Sequence, residues 1–150
     1  MVFGLFSESK QPQSKSADVR ALPEDAFNGK WKLTGEDLDF ASTNFKSRNT
    51  YAGVLDLSVA NKNLNFSGKI ETRSAATQDL KGVADFTGSG PISENQAAAF
   101  YDYTNQRVSG FGTAFIQFDF AGKEADGYLI FRVTTGDGTI GQAHIHLHRK

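Results

Sequence analysis

The three histidines of the chain occupy every second position of its last apolar run, as His144, His146 and His148. On a β-strand such residues share one face, and neighbours are separated by about 7 Å. Two of the imidazoles can therefore meet on one Zn²⁺ or another divalent metal. The first and third lie about 13 Å apart, so a site on His144 and His146 needs carboxylates from adjoining strands. Asp119 and Asp85 are the candidates.

A solvated outer face is the alternative interpretation of the histidines. The residues that alternate with them are Ala143, Ile145 and Leu147, which favour a buried core. The histidines would then bind metal only adventitiously, or change charge near neutral pH. The sequence predicts no other cofactor.

A second group of polar residues could orient a ligand instead of a metal. Arg132 and Tyr128 share one face of a predicted strand, and a guanidinium on a cavity wall is suited to an acidic ligand. Gln117 shares one face of its predicted strand with Phe115. If that face lined an apolar cavity, Gln117 would be one of the few polar groups that orient a ligand there. The alternative is that Arg132 faces water, because the other face of its strand is more apolar.

The motifs of common catalytic sites are missing from this sequence. It contains no nucleophile elbow, Walker loop, EF-hand loop or dinucleotide-binding glycine pattern after a strand. Asp37 and Asp39 lie near a predicted turn, where carboxylates are expected to be solvated. The absence of cysteine excludes disulfides and thiol catalysis. Whether the protein is an enzyme stays open, and the sequence favours a non-catalytic role.

Charge and hydropathy exclude several classes of partner. Lys and Arg total 16 against 17 Asp and Glu in 150 residues, giving a net charge of -1. A near-neutral chain has no broad attraction for nucleic acid. No apolar run is long enough for a transmembrane helix. The apolar start, Val2 to Phe6, is too short for a signal peptide, so we expect a cytoplasmic protein.

Short runs of alternating apolar and polar residues must position these side chains. The pattern extends from Trp31 to His148 and is clearest over residues 64–70, 114–120 and 143–148. A period of two is typical of strands with one face in a core. Turn residues separate the runs, so hairpin follows hairpin. We predict an all-β fold, a single antiparallel meander of about seven or eight strands that hides its edges as a barrel or a sandwich, with the barrel preferred.

Two segments depart from this alternation. Ser93 with Gln96 is a capping box, and three alanines and Phe100 follow it, which predicts a short helix near 93–103. Such a helix would carry Tyr101 and Tyr103 as a lid or against the sheet. The parity of the apolar residues also changes at Gly35, which predicts a bulge or bend there.

The chain divides into two parts. Residues 1–21 are rich in Ser, Gln and Lys after the apolar start and predict a flexible N-terminal arm. Residues 22–150 predict a single β-barrel domain. The arm could join the barrel to a protein partner or to a second copy.

The stretch from Phe27 to Thr34, with Gly29-Lys30-Trp31, resembles the opening of calycin barrels, the lipocalins and intracellular fatty-acid-binding proteins. The likeness to the fatty-acid-binding type continues over residues 36–40. The resemblance implies an antiparallel barrel around a cavity for an apolar small molecule, with Trp31 packed across its bottom. The last strand departs from that family, because it carries histidines where the family has an Arg-x-Tyr that grips a carboxylate.

The leading prediction is non-catalytic binding of a small hydrophobic or amphipathic molecule inside the barrel. Phe66, Phe86, Phe118, Phe120 and Phe131 would line the cavity. Arg132 or Gln117 would anchor the polar end of the ligand, with Tyr128 assisting. A structural or protein-interaction module with a filled core is the alternative. An isomerase or cyclase of the calycin-like kind is the third possibility.

Overall fold

The fold is a closed antiparallel barrel of eight strands in sequence order. The computed structural model describes residues 22–38, 48–105, 109–132 and 140–150. The strands are β1 (Gly29–Asp37), β2 (Asn49–Ala60), β3 (Asn63–Ser74), β4 (Leu80–Ser93), β5 (Gln96–Thr104), β6 (Ser109–Phe118), β7 (Glu124–Arg132) and β8 (Ile140–Arg149). β8 pairs with β1 and closes the barrel. The predicted all-β meander is thus confirmed, whereas the predicted arm, 1–21, lies outside the described residues.

Alternating positions along each strand separate the interior from the outer wall. In β8, for example, Ala143, Ile145 and Leu147 are buried while the residues between them are partly or fully exposed. The apolar residues therefore face a single core that all eight strands surround. Within the described ranges, no helix is long and apolar enough to cross a membrane.

The helix predicted near 93–103 is wrong, because this segment forms the end of β4, a two-residue turn and β5. Ala97, Ala99 and Tyr101 alternate inward and are buried. The Asn95 side chain is also buried and donates to the carbonyl of Phe118 at 2.6 Å. Pairing with strands on both sides thus outweighs the weak intrinsic helix preference of the alanines.

The predicted bulge at Gly35 is also absent. β1 keeps one register with β2 and with β8 past this residue, and a register shift lies instead between Thr72 and Arg73. A Cβ on Gly35 would lie 2.9 Å from the carbonyl oxygen of His144. The glycine therefore permits a close approach of β1 and β8 in an uninterrupted strand.

Aromatic rings close one end of the barrel. A 3-10 turn, Glu24–Phe27, precedes β1 and places the Phe27 ring 4.2 Å from the Phe118 ring in a stacked arrangement. Trp31 is completely buried and meets Phe118 edge-on at 5.4 Å. Its indole nitrogen donates to the carbonyl of Phe27 at 3.0 Å. The tryptophan therefore packs in the core and satisfies its one polar atom there.

Arg149, near the end of β8, joins this aromatic group to the backbone around it. Its guanidinium lies 4.7 Å from the centre of the Trp31 ring. It donates to the carbonyl of Gly122 at 2.7 Å and to the carbonyls of Ala26 and Asn28. One side chain thus connects the last strand, the turn before β1 and the β6–β7 connection.

We predict that Arg149→Ala lowers the free energy of unfolding by about 2–4 kcal/mol. The carbonyls of Ala26, Asn28 and Gly122 lose a charged hydrogen-bond donor, and the Trp31 ring loses its contact with the guanidinium. Urea denaturation measures the change. Arg73→Ala is the matched control, since Arg73 forms a partly exposed pair with Glu71 and should cost no more than about 1 kcal/mol. Equal losses in the two variants would contradict a special role for Arg149.

Candidate functional site

The most unusual polar group of the described chain is the carboxyl of Asp37, which is fully buried at the end of β1. The sequence predicted a solvated carboxylate near a turn, and that prediction is wrong. β1 continues to Asp37, which pairs with Ala143 of β8 and shares the inward face with Trp31 and Leu33. The site therefore lies in the half of the barrel away from the Trp31 end.

Neighbours from the start of β2 hold the carboxyl in place. The phenol of Tyr51 donates to one carboxyl oxygen of Asp37 at 2.6 Å, and the backbone N–H of Asn49 donates to the other at 2.9 Å. The Arg48 guanidinium donates to the backbone carbonyl of Asp37 at 2.9 and 3.2 Å. A carboxylate can accept about four hydrogen bonds, so Asp37 keeps acceptor capacity beyond the two donors that the described residues supply.

Burial alters the acidity of both groups in this contact. Desolvation raises the pKa of Asp37 above its ordinary value of 3.8, while the hydrogen bonds from Tyr51 and Asn49 and the charges of Lys81 and Arg48 oppose the shift. Burial, and then the nearby Asp37, raise the pKa of the Tyr51 phenol far above 10.0. Tyr51 therefore remains a hydrogen-bond donor at any ordinary pH.

Two further phenols enter the same half of the barrel from β5, and one of them, Tyr101, contributes to the raised pKa of Tyr51. Tyr101 is buried and Tyr103 is half-buried, and their rings lie 6.4 Å apart. A Cβ on Gly112 would lie 2.5 Å from the Tyr101 hydroxyl, and one on Gly110 would lie 2.5 Å from that of Tyr103. The glycines of β6 thus leave room for the two phenols. We call Asp37, Tyr51, Tyr101 and Tyr103 the inner polar cluster.

Sequence reasoning missed this cluster for two different reasons. The capping box predicts a helix for Tyr101 and Tyr103, although they continue the every-second-residue positions of Ala97 and Ala99, which is the pattern of a strand. Asp37 continues the inward parity of Trp31 and Leu33, and this was the signal that could have identified it.

The phenylalanines predicted to line the cavity have different positions. Phe66 and Phe118 are buried inside the barrel, and the Phe66 ring lies 5.6 Å from that of Phe86. Phe120 is half-buried and follows the end of β6, in a turn outside the strands. Phe66, Phe86 and Phe118 are therefore in the interior, and Phe131 packs against the core.

The predicted polar anchors lie on the outer wall. Arg132, Tyr128 and Gln117 are exposed, because the inward positions of β6 and β7 belong to the residues that alternate with them. They do not line the interior, and the alternative interpretation, in which Arg132 faces water, is confirmed. Their strands bury the more apolar face, as the burial preference of the residues requires.

His144 and His146 also lie on the outer wall, where β7 supplies the carboxylates. Asp126 Oδ1 lies 3.3 Å from His144 Nε2 and 3.2 Å from His146 Nδ1. Glu124 Oε1 lies 3.0 Å from His146 Nε2. His148, next on the same face, is exposed.

The carboxylates proposed from the sequence for the histidines lie elsewhere. Asp85 pairs with Lys69 at 2.6 Å, and Asp119 accepts backbone hydrogen bonds from Lys123 and Glu124 in its own turn. In the described part of the chain, no group of three or more His, Asp or Glu side chains has an arrangement that could hold a metal ion. A metal site on His144 and His146 stays a prediction.

Comparison with known proteins does not assign the chain to a family. No protein-family model matches the sequence, and no match is found among the curated proteins.

We predict that the stability difference between wild type and Asp37→Asn depends on pH. The raised pKa means that folded Asp37 keeps its proton to a higher pH than the unfolded chain does. The free energy of unfolding of the wild type should therefore fall, relative to the variant, as pH rises from 3.8 through the folded pKa. Urea denaturation across this range measures the difference.

Asp79→Asn is the control for this experiment, because Asp79 is an exposed acid in the β3–β4 connection. A difference between wild type and Asp37→Asn that stays constant with pH would contradict the raised pKa.

Proposed function

We propose that the barrel binds a small amphipathic molecule without catalysis, with the ligand's polar group at the inner polar cluster. The buried carboxyl of Asp37 is the observation that carries the proposal. A buried carboxyl is costly unless it is hydrogen-bonded, and such groups concentrate at functional sites. The closed barrel with Trp31 packed at one end is compatible with the calycin resemblance and supports the same function.

The inner polar cluster favours a ligand that donates a hydrogen bond. Asp37 has acceptor capacity left, and a carboxylate ligand beside it would meet either a like charge or a carboxyl that must first be protonated. Arg132, the predicted partner of an acidic ligand, faces outward. A hydroxyl or amine head group therefore suits the site better than the carboxylate of a fatty acid.

The apolar part of the ligand would lie against the aromatic side chains next to the cluster. The rings of Phe86 and Tyr101 lie 4.7 Å apart, and Phe66 continues the group toward the Trp31 end. Tyr103 is only half-buried.

Calorimetric titration with 1-octanol, octylamine and octanoate tests this preference on the full chain. We expect the alcohol or the amine to bind at least about tenfold more tightly than the carboxylate, since unfavourable charge contacts cost more than 1.4 kcal/mol. Tyr51→Phe removes the donor that orients Asp37 and should weaken octanol binding about five- to tenfold, the value of one hydrogen bond.

Tyr128→Phe is the matched control, because it removes a phenol from the outer wall and should leave octanol binding unchanged. Failure of all three probes to bind the folded protein would contradict the proposal. That result would favour the alternative of an interaction module with an interior filled by its own side chains.

A further inference from the structure

We propose that the outer wall of β5, β6 and β7 is the face through which two copies of this chain associate. Phe100 on β5 and Phe111 on β6 are 76% and 74% exposed, and Phe115 and Tyr128 are about half exposed. Clustered aromatic exposure of this kind marks interaction surfaces. The inference concerns the outer wall and does not depend on ligand binding inside the barrel.

The centre of this face carries no charged side chain. Residues directly opposite one another on neighbouring strands form rows across the wall. The two central rows are Phe100–Thr113–Ile130 and Ala98–Phe115–Tyr128. Such a neutral, aromatic centre is typical of the buried core of an interface.

Charged residues lie in the two rows that flank the central rows. Asp102 on β5 pairs with Phe111, and the register of β6 with β7 places Arg132 on the other side of that ring. At the opposite end, Gln117 lies between Gln96 and Asp126. The face thus has an aromatic centre with a polar rim, and one rim row carries opposite charges on β5 and β7.

A two-fold axis that runs along β6, between two copies packed face to face, would place β5 of each copy over β7 of the other. Each Asp102 then meets the second copy's Arg132, so the contact occurs twice. Neither side chain forms an ion pair within the described ranges of its own chain. Asp102 and Arg132 are therefore complementary to each other across this axis.

Side-chain size is complementary under the same axis. Ala98 would oppose Tyr128, a small residue against a large one, and Phe100 would oppose Ile130. Ala98 lies in an outer groove of about 570 Å³ that Phe115 and Tyr128 also line. The Tyr128 phenol of a second copy would therefore enter this groove, and the contact would occur twice in each dimer.

The exposed area is of the right order for a dimer. If a large aromatic side chain presents about 200 Å², the exposed fractions of the four rings correspond to about 500 Å² of apolar surface. A specific interface covers about 800 Å² per partner. The polar side chains of the rim rows would supply the remainder.

Sedimentation equilibrium of the full chain at micromolar concentrations tests the proposal by charge reversal. We expect a dimer for the wild type. Asp102→Arg alone and Arg132→Asp alone each place like charges together twice, and each should raise the dimer dissociation constant at least about tenfold. The double variant D102R/R132D restores opposite charges and should recover most of the affinity.

Asp79→Arg is the matched control, because it makes the same charge change in the β3–β4 connection, away from the face. Phe111→Ser supplies an uncharged variant that should also weaken the dimer. Circular dichroism verifies that each variant is folded. A monomeric wild type would overturn the proposal, as would equal effects of Asp79→Arg and Asp102→Arg, or no recovery in the double variant.

Discussion

The pairing of β1 with β8 is the contact on which the rest of the structure depends, because it converts a meander with two free edges into a closed barrel. Closure determines which face of every strand is inside. It also brings Trp31, near the start of the barrel, beneath the guanidinium of Arg149 at its end. The hydrogen bonds of Arg149 to backbone carbonyls then attach the turn before β1 to the last strand.

Aromatic rings and glycines pack against each other in the interior of this barrel. A Cβ on Gly88 would lie 2.3 Å from the Phe66 ring, and one on Gly141 would lie 2.5 Å from the Phe131 ring. Glycine thus leaves room for a ring from a neighbouring strand, and the weak strand preference of glycine is offset by aromatic packing. The same arrangement brings Tyr101 and Tyr103 toward the half of the barrel that contains Asp37.

The wall separates two regions with different chemistry. Inside, a buried carboxyl accepts a hydrogen bond from the Tyr51 phenol and holds its proton more strongly than in water. Outside, the histidines of β8 meet the carboxylates of β7 in exposed contacts, and next to them aromatic rings face solvent on β5 and β6. Adjacent residues of one strand therefore belong to different regions, because alternate side chains point to opposite faces.

The alternation of apolar and polar residues suffices to predict the strand class and the inward position of Trp31, Phe66 and Phe118, because a period of two is a local pattern. The folded structure is needed to show that β5 pairs with β4 and β6, that Tyr51 donates to the Asp37 carboxyl, and that Asp126 and Glu124 accompany the histidines. These features depend on register and closure, which join residues far apart in the chain. Local propensity carries no information about such partners.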